Sequence, residues 1–287
     1  MVLTNKIITG HALEILKNLP ECSVNMCITS PPYWGLRDYK TNPVKWSDDW
    51  EGELGSEHDV NAYVNHLCDV FDEVKKVLKD DGTCWVNIGD TYHKKSLCLI
   101  PFKFALEMKK RNWIIRNVII WHKPNAVPLS VTDRFTVDFE YIFFFSKNPK
   151  YYFEQQFEPF QQSTFNIKFS NKPSEGRAQF FQGLGKKNKF LFQQKLLNNE
   201  LCGRNMRCIW DISVGSNFKG NHIATFPKKL VETPIKAGCP EGGIVLDPFI
   251  GSGTTAVVAE KLNRNWLGIE LNPEYTKLAE ERIKKGN

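Results

Sequence analysis

The segment Thr29-Ser30-Pro31-Pro32-Tyr33-Trp34 carries residues that could direct chemistry at an amino group. Two successive prolines fix two φ angles and remove two N–H donors, so the neighbouring carbonyls become rigid acceptors. The Ser30 hydroxyl and the Pro31 carbonyl could accept both hydrogens of an exocyclic NH2 group and aim its lone pair at an electrophile. Tyr33 offers a face on which an unstacked base could lie. The alternative interpretation is a Pro-Pro turn with ordinary aromatic packing.

A second segment, residues 244–255, has the pattern of a strand, a tight turn and a helix. Gly251 and Gly253 would let the backbone pass close to a ligand at the end of the strand. Glu270 follows Asp247 by roughly the 20 residues at which an acidic side chain can accept hydrogen bonds from ribose hydroxyls. An ordinary turn, in which Gly and Asp are common, is the alternative.

The chemistry of this second segment favours one cofactor. The turn lacks the Gly-Lys pair of a P-loop, and Asp247 would repel a phosphate but suits an ammonium. S-adenosylmethionine has an ammonium, a sulfonium, a ribose and an adenine, and it has no phosphate. We therefore expect the segment to bind S-adenosylmethionine.

The elements that must position these residues alternate between strand and helix. Apolar runs predict strands at residues 6–9, 24–29, 83–88, 113–121, 139–145, 243–246 and 266–271. Apolar residues at helical spacing predict helices at residues 12–19, 60–78, 100–110 and 254–262, and a last helix that Asn272 caps. Such repeated units indicate an α/β fold with buried parallel strands.

Residues 149–220 interrupt this pattern with a polar, aromatic and basic stretch. We predict an inserted region between residues 1–148 and 221–287, which would form two parts of one domain. The interleaved charged and aromatic residues of this insertion suit contacts with DNA phosphates and unstacked bases. The alternative is a folded insertion whose charged face is solvated. The net charge of +6 is compatible with nucleic acid but does not demand it.

Several classes of protein are not expected. The eight cysteines form no Cys-x-x-Cys pair, so we predict neither a metal site nor a disulfide framework. No apolar run approaches the roughly 20 residues that span a bilayer, and the first residues lack a signal-peptide pattern. A soluble, cytoplasmic protein without a membrane partner is therefore expected.

Taken together, the two segments resemble the amino-methyltransferases of bacterial and phage restriction–modification systems. That family has a catalytic [Asp/Asn/Ser]-Pro-Pro-[Tyr/Phe] motif and an Asp-Pro-Phe-x-Gly-Ser-Gly-Thr cofactor motif. The catalytic motif comes first here, which resembles the circularly permuted β group. The resemblance covers residues 6–148 and 222–283 and implies a seven-stranded, mostly parallel sheet with the cofactor at the carboxyl ends of its strands. It also implies that the insertion is a target-recognition region.

The resemblance also implies roles for individual residues. The residues that match the catalytic motif are Ser30, Pro31, Pro32 and Tyr33. The residues that match S-adenosylmethionine-binding positions are Phe226, Asp247, Phe249, Gly251, Ser252, Gly253, Thr254 and Glu270. Residues 121–125 resemble a stretch near the catalytic pocket, whereas Gly10-His11 departs from the family's Gly-Asp. Asp90 is expected either to border the pocket or to cap a turn.

The resemblance predicts transfer of a methyl group to double-stranded DNA. Serine at the first motif position, Ser30, favours cytosine N4 within the family, whereas Asp or Asn favours adenine N6, so adenine N6 stays open as the alternative. A cytosine-C5 enzyme is not expected, because no Pro-Cys dipeptide is present. Less favoured alternatives are an RNA or protein substrate and a non-catalytic DNA-binding module. A restriction endonuclease is the expected partner, and the protein is expected to be a monomer or a homodimer.

Overall fold

The computed structural model describes residues 4–35, 43–128, 130–159, 203–215 and 227–286. The chain divides into two compact units, one comprising residues 1–154 and 208–287 and the other residues 155–207. The predicted insertion, residues 149–220, covers the second unit and extends beyond it at both ends. Among the described residues, no helix is both long and apolar enough to cross a membrane.

The described elements of the first unit alternate largely as the sequence predicts. In chain order they are β1 (Lys6–Thr9), α1 (Ala12–Lys17), β2 (Val24–Thr29), β3 (Val44–Lys45), β4 (Glu51–Gly52), α2 (Val60–Val77), β5 (Leu78–Ile88), β6 (Tyr92–His93), β7 (Ser96–Leu97), α3 (Ile100–Lys110), β8 (Ile114–His122) and β9 (Phe139–Ser146). The second unit contributes β10 (Phe157–Glu158) and β11 (Arg204–Asn205). The first unit then continues with β12 (Ile209–Asp211), α4 (Lys228–Gly238), β13 (Ile244–Asp247), α5 (Thr254–Lys261), β14 (Asn265–Glu270) and α6 (Pro273–Lys284).

The main sheet has the strand order β1-β14-β13-β2-β5-β9-β8-β12. All neighbouring pairs are parallel except the two that involve β9, which is antiparallel to both β5 and β8. The predicted α/β class with a mostly parallel sheet is therefore confirmed. The described sheet has eight strands rather than seven, because the short strand β12 pairs with β8 at the edge.

Helices cover the sheet through their apolar faces. Helix α2 begins at Asp59, whose carboxylate accepts hydrogen bonds from the N–H groups of Asn61 and Ala62. Its buried face includes Tyr63 and Phe71, which are both fully buried. The helix ends at Val77, close to the predicted end at residue 78, because the backbone of Leu78 is already extended and begins β5, which starts five residues before the predicted strand 83–88.

The strand order determines where the two sequence motifs meet. Strands β14, β13, β2 and β5 are consecutive and parallel, so their carboxyl ends lie along one edge of the sheet. Glu270 ends β14, Asp247 ends β13, Thr29 ends β2 and Ile88 ends β5. This edge is where ligands bind in open α/β sheets.

The described part of the second unit is a short antiparallel pair. Phe157 pairs with Asn205, and Glu158 pairs with Arg204. The Glu158 carboxylate also lies 2.6 Å from Nε of Arg207. Most of the predicted insertion, residues 160–202 and 216–220, lies outside the described residues.

Candidate active site

The Ser-Pro-Pro-Tyr motif directly follows β2 and is held by two neighbours. The hydroxyl of Tyr63, on α2, donates a 2.8 Å hydrogen bond to the carbonyl oxygen of Pro32. Gly55 packs so closely that a Cβ there would lie 3.0 Å from the carbonyl oxygen of Tyr33. No donor among the described residues bonds to the carbonyl of Pro31, which therefore stays open as the acceptor that the sequence argument requires.

The hydroxyl of Tyr33 belongs to a partly buried hydrogen-bond network that the sequence did not reveal. It donates a 2.6 Å hydrogen bond to Oε2 of Glu140, at the start of β9. Lys123, just after β8, donates to the other oxygen of the same carboxylate. The Asn87 amide, near the end of β5, donates to Oε2 of Glu140 at 2.7 Å and to the Tyr33 hydroxyl at 2.9 Å. Residues of two strands, β5 and β9, therefore bond directly to the Tyr33 hydroxyl, and Lys123 holds the carboxylate of Glu140.

This environment keeps Tyr33 protonated. Burial raises the pKa of its hydroxyl well above the ordinary value, and the negative charge of Glu140 raises it further. Tyr33 is therefore a hydrogen-bond donor to Glu140 over the whole physiological range of pH. A phenolate that could act as a base is disfavoured at this position.

Ser30 is attached to the same network by long contacts. Its hydroxyl donates to the Tyr33 oxygen at 3.3 Å and accepts from the Asn87 amide at 3.4 Å. A hydroxyl whose proton points towards Tyr33 presents its remaining lone pair outward as an acceptor. The charge of Glu140, transmitted through Tyr33, strengthens that acceptor. Oδ1 of Asn87 is buried and has no donor among the described residues.

The ring of Tyr33 lies against the backbone of Gly89. A Cβ at Gly89 would be 2.8 Å from Cε2 of Tyr33, so any larger residue would displace the ring. Asp90, the next residue, caps a turn: its Oδ1 accepts from the N–H groups of Thr91 and Ile100. Of the two expectations for Asp90, the structure shows the cap.

Asp247 lies at the end of β13, directly before the turn of residues 248–253 that is called the cofactor turn below, and it is almost completely buried. Its carboxylate accepts hydrogen bonds from the hydroxyls of Thr29 and Thr255, both at 2.6 Å, and from the N–H of Phe249 at 3.1 Å. Burial raises the pKa of Asp247 to about 6, although the three hydrogen bonds act in the opposite direction and lower the pKa. Asp247 therefore holds β2, the turn and α5 together, a task that the sequence argument did not give it.

Glu270 supports the same turn from the neighbouring strand. Its two carboxylate oxygens accept from the N–H groups of Gly251 at 3.0 Å and Asn272 at 2.9 Å. Burial raises its pKa, and the two backbone hydrogen bonds oppose that shift. A carboxylate oxygen can accept more than one hydrogen bond, so Glu270 has the capacity to accept from ribose hydroxyls as well.

The two glycines of the turn have the left-handed backbone that favours glycine. The φ angle is +51° at Gly251 and +80° at Gly253. A Cβ at Gly253 would also lie 3.3 Å from Cβ of Ala279 and 3.2 Å from Cδ1 of Ile283, on α6. The turn is therefore packed tightly onto that helix.

Arg282 is a further residue that the sequence argument missed. Its guanidinium donates to the carbonyl and hydroxyl of Ser252, at 3.1 and 2.8 Å, and to the hydroxyl of Thr254 at 2.9 Å. Burial lowers the pKa of Arg282. The available signal was its position three residues after the buried Ala279, on the side of α6 that faces the turn.

The remaining predicted site residues are placed as follows. Phe249 lies in the turn, where its N–H binds Asp247. Phe226 lies outside the described residues. His11 packs edge-on against Trp46, with ring centroids 4.8 Å apart. Lys123 lies in the stretch 121–125 that sequence resemblance associates with the pocket, and it pairs with Glu140, which accepts from Tyr33.

Comparison with known proteins identifies the family to which this site belongs. A family model described as DNA methylase, the N6/N4 methylase family, matches residues 24–281. The type II methyltransferase M.SmaI of Serratia marcescens is 35% identical over 97% of this chain and 90% of its own length. M.Cfr9I of Citrobacter freundii is 34% identical over 96% of this chain and 86% of its own length. The chain belongs to the N6/N4 family of DNA methyltransferases, whose methyl donor is S-adenosylmethionine.

Solved structures agree with this assignment. A DNA modification methylase of Thermus thermophilus, solved with S-adenosyl-L-methionine, aligns with a TM-score of 0.62 and 26% identity over 98% of this chain and 95% of that one. The PvuII DNA methyltransferase, a cytosine-N4-specific enzyme, aligns with a TM-score of 0.68 and 22% identity over 100% of this chain and 92% of that one. The second likeness supports the fold alone.

Proposed function

We propose that the protein methylates the exocyclic N4 of cytosine in duplex DNA. The observation that carries this proposal is the state of Ser30. Its proton is directed towards Tyr33, so its oxygen is an acceptor, and the carbonyl of the next residue, Pro31, accepts from no donor among the described residues. Cytosine N4 has two hydrogens to donate and a lone pair that conjugation withdraws into the ring. Two fixed acceptors would orient that nitrogen and make its lone pair available.

S-adenosylmethionine supplies the electrophilic methyl group when it is bound. We infer that residues 249–254 hold its methionine portion and that Glu270 holds its ribose. The supporting observations are the two glycines with positive φ and the remaining acceptor capacity of Glu270. Asp247 acts mainly by holding the turn, because three protein donors already occupy its carboxylate.

The protein's own residues then have distinct tasks. Ser30 and the Pro31 carbonyl accept from the target amino group, and Tyr33 and Asn87 hold Ser30 in place. The target base must leave the duplex, because its amino group is paired there. The ring of Tyr33, fixed on Gly89, offers a rigid face for the extruded base to stack on. Most of the expected rate acceleration comes from holding the amino nitrogen of the base in line with the methyl group of the donor.

Adenine N6 is the second candidate, since an adenine amino group also has two hydrogens for the same acceptors. A direct test is to methylate plasmid DNA with the purified protein, digest it and identify the modified nucleosides by mass spectrometry. N4-methylcytosine is the expected product. N6-methyladenine alone would overturn the choice of base, and no methylated nucleoside would overturn the proposed activity.

The catalytic assignment has its own test with a matched control. Ser30→Ala removes the acceptor, so the rate of methyl transfer from tritiated S-adenosylmethionine should fall while calorimetric affinity for the cofactor stays the same. Ser56→Ala is the control, because the Ser56 hydroxyl is exposed and bonds only to the carbonyl of Glu53 among described residues. Equal rates in both variants would remove Ser30 from the mechanism.

We further propose that the protein is the cytoplasmic modification partner of a restriction endonuclease, because the relatives at 34–35% identity are type II methyltransferases. Plasmid DNA methylated to completion should become resistant to one member of a panel of endonucleases. Full sensitivity to the enzyme that cleaves the methylated site would contradict this role.

A further inference from the structure

A small hairpin stands beside the catalytic motif and has no part in the chemistry described so far. Strands β6 and β7 pair Tyr92 with Leu97 and His93 with Ser96, so only Lys94 and Lys95 form its loop. The hairpin follows β5 at the edge of the sheet where the site lies.

Two contacts fix the hairpin next to the site. The ring of His93 lies with its centroid 5.9 Å from that of Trp34, the residue that follows Tyr33. At its base, Oδ1 of Asp90 binds the N–H groups of Thr91 and Ile100 and so closes the segment into a compact unit. The tip is therefore held near the rim of the pocket.

The backbone of the tip is unusual for its sequence. Lys94 and Lys95 have φ angles of +47° and +65°. Two-residue hairpin loops with two positive φ angles strongly prefer Asn-Gly or a similar pair. A residue with a side chain in this region costs about 1 kcal/mol or more, and such strain concentrates at functional sites. An Asn-Gly pair would form a more stable turn, but it would not carry the two positive charges of Lys94 and Lys95.

The charges of the tip are available to a ligand. Both lysines are exposed, and neither forms an ion pair with any described residue. A third cation lies close by, because the guanidinium of Arg134 sits 4.2 Å from the ring centroid of Tyr92. The nearby carboxylate of Asp133 approaches Arg134 at 3.5 Å, which is a weak contact. The exposed face of the hairpin is therefore positive.

We infer that Lys94 and Lys95 bind the DNA phosphates that flank the extruded base. This inference rests on the proposed function, in which a base enters the pocket at Ser30 while its sugar stays joined to phosphates on both sides. Those phosphates must pass the rim of the pocket, where the hairpin stands. Lysine binds phosphate as a point charge, so the hairpin would contribute affinity and position without reading sequence.

The test replaces Lys94→Asn and Lys95→Gly together, which removes both charges while favouring the hairpin. Binding of a mixed-sequence duplex should weaken, and the slope of log affinity against log salt should become shallower by about 1.8, or about 0.9 for each phosphate contact. Calorimetric affinity for S-adenosylmethionine and the melting temperature should not fall.

The control replaces Lys109→Gln and Lys110→Gln, in the last turn of α3, near the amino end of β8. It removes the same charge at the opposite edge of the sheet. A salt slope unchanged in the hairpin variant, or reduced equally in both variants, would overturn the inference. Nucleoside analysis of DNA methylated by the unaltered protein tests the proposed function independently of this result.

Discussion

Thr29 and Asp247, which are 218 residues apart in the sequence, share a buried hydrogen bond of 2.6 Å between the Thr29 hydroxyl and Oδ1 of Asp247. Thr29 directly precedes the catalytic motif, and Asp247 directly precedes the cofactor turn. The bond therefore couples the proposed catalytic motif to the turn proposed to bind the cofactor. It forms because β2 and β13 are neighbours in the sheet.

Asp247 should make stability depend on pH in a defined direction. Its folded pKa, about 6, lies above the ordinary value of 3.8, so between these values the folded protein keeps a proton that the unfolded chain has released. Its contribution to stability should fall as pH rises from about 4 to 6 and then level off. At about 1.4 kcal/mol for each unit between the two values, the loss is roughly 3 kcal/mol.

Denaturation of the protein and of Asp247→Asn at several pH values measures this contribution as the difference between them. The exposed Asp80→Asn is the control. A constant difference between the protein and Asp247→Asn across this range would show that Asp247 does not titrate as described.

The bond between Tyr33 and Glu140 should matter more to catalysis than to cofactor binding. Tyr33→Phe keeps the ring and removes the donor to Glu140, which leaves Ser30 less well oriented. A hydrogen bond to a charged group contributes about 1.5–3 kcal/mol, so kcat should fall by roughly tenfold to a hundredfold. Single-turnover methyl transfer measures this, with cofactor affinity expected to stay constant.

Glu140→Gln completes a double-mutant cycle with Tyr33→Phe. The two changes should be less than additive, because each breaks the same bond. Tyr151→Phe is the matched control, since the Tyr151 hydroxyl accepts from Arg116 at an exposed position. Full additivity would mean that Tyr33 and Glu140 act separately.

Gly253→Ala and Gly242→Ala separate backbone strain from close packing. Both glycines have positive φ, +80° and +72°, but a Cβ at Gly242 would meet nothing within 4 Å. Both variants should therefore lose about 1 kcal/mol to strain. Gly253→Ala should lose more and should also bind S-adenosylmethionine more weakly, because its Cβ would push the turn away from α6. Equal stability and equal cofactor affinity in the two variants would contradict the packing described for Gly253.

Arg282 should act on the cofactor through the turn. Arg282→Lys keeps the charge, but its shorter, flexible stem does not hold an ammonium at the position of Nη1, the one nitrogen that donates to both hydroxyls and to the carbonyl. We expect weaker calorimetric affinity for S-adenosylmethionine and little change in kcat at saturating cofactor. Lys284→Met, an exposed change on the same helix, should leave affinity unaltered. Normal affinity in Arg282→Lys would show that Ser252 and Thr254 need no such support.

The positions of the site residues at the ends of strands could be predicted from the sequence. Their hydrogen-bond partners on neighbouring strands could not. Apolar runs and turn residues placed Ser30, Asp247 and Glu270 at the ends of parallel strands, and such ends meet at one edge. Glu140 reaches Tyr33 because β9 is antiparallel to β5, with Asn87 opposite Ile142. Nothing in local periodicity specifies that pairing. The one visible signal was an acidic residue inside the apolar run 139–145.

The structural role of Asp247 could not be predicted either, because it depends on contacts that a local sequence pattern does not specify. The motif predicted a carboxylate close to the cofactor, but it did not predict that Thr29 and Thr255 would both donate to it. Hydrogen bonds between residues so far apart follow from the strand order. Arg282 is similar, because the angle at which α6 packs on the turn decides what its side chain can reach.

The pairing of β1 with β14 has a consequence for how the chain folds. Lys6 lies opposite Leu267, so the only neighbour of β1 among the described strands is β14, which comes after all the other described strands in the sequence. Contacts of such long sequence separation slow folding, because loop closure must precede the contacts that stabilise it. A nascent chain would expose the catalytic motif long before the cofactor turn exists. Methylating activity should therefore appear only after β13 and β14 have joined the sheet.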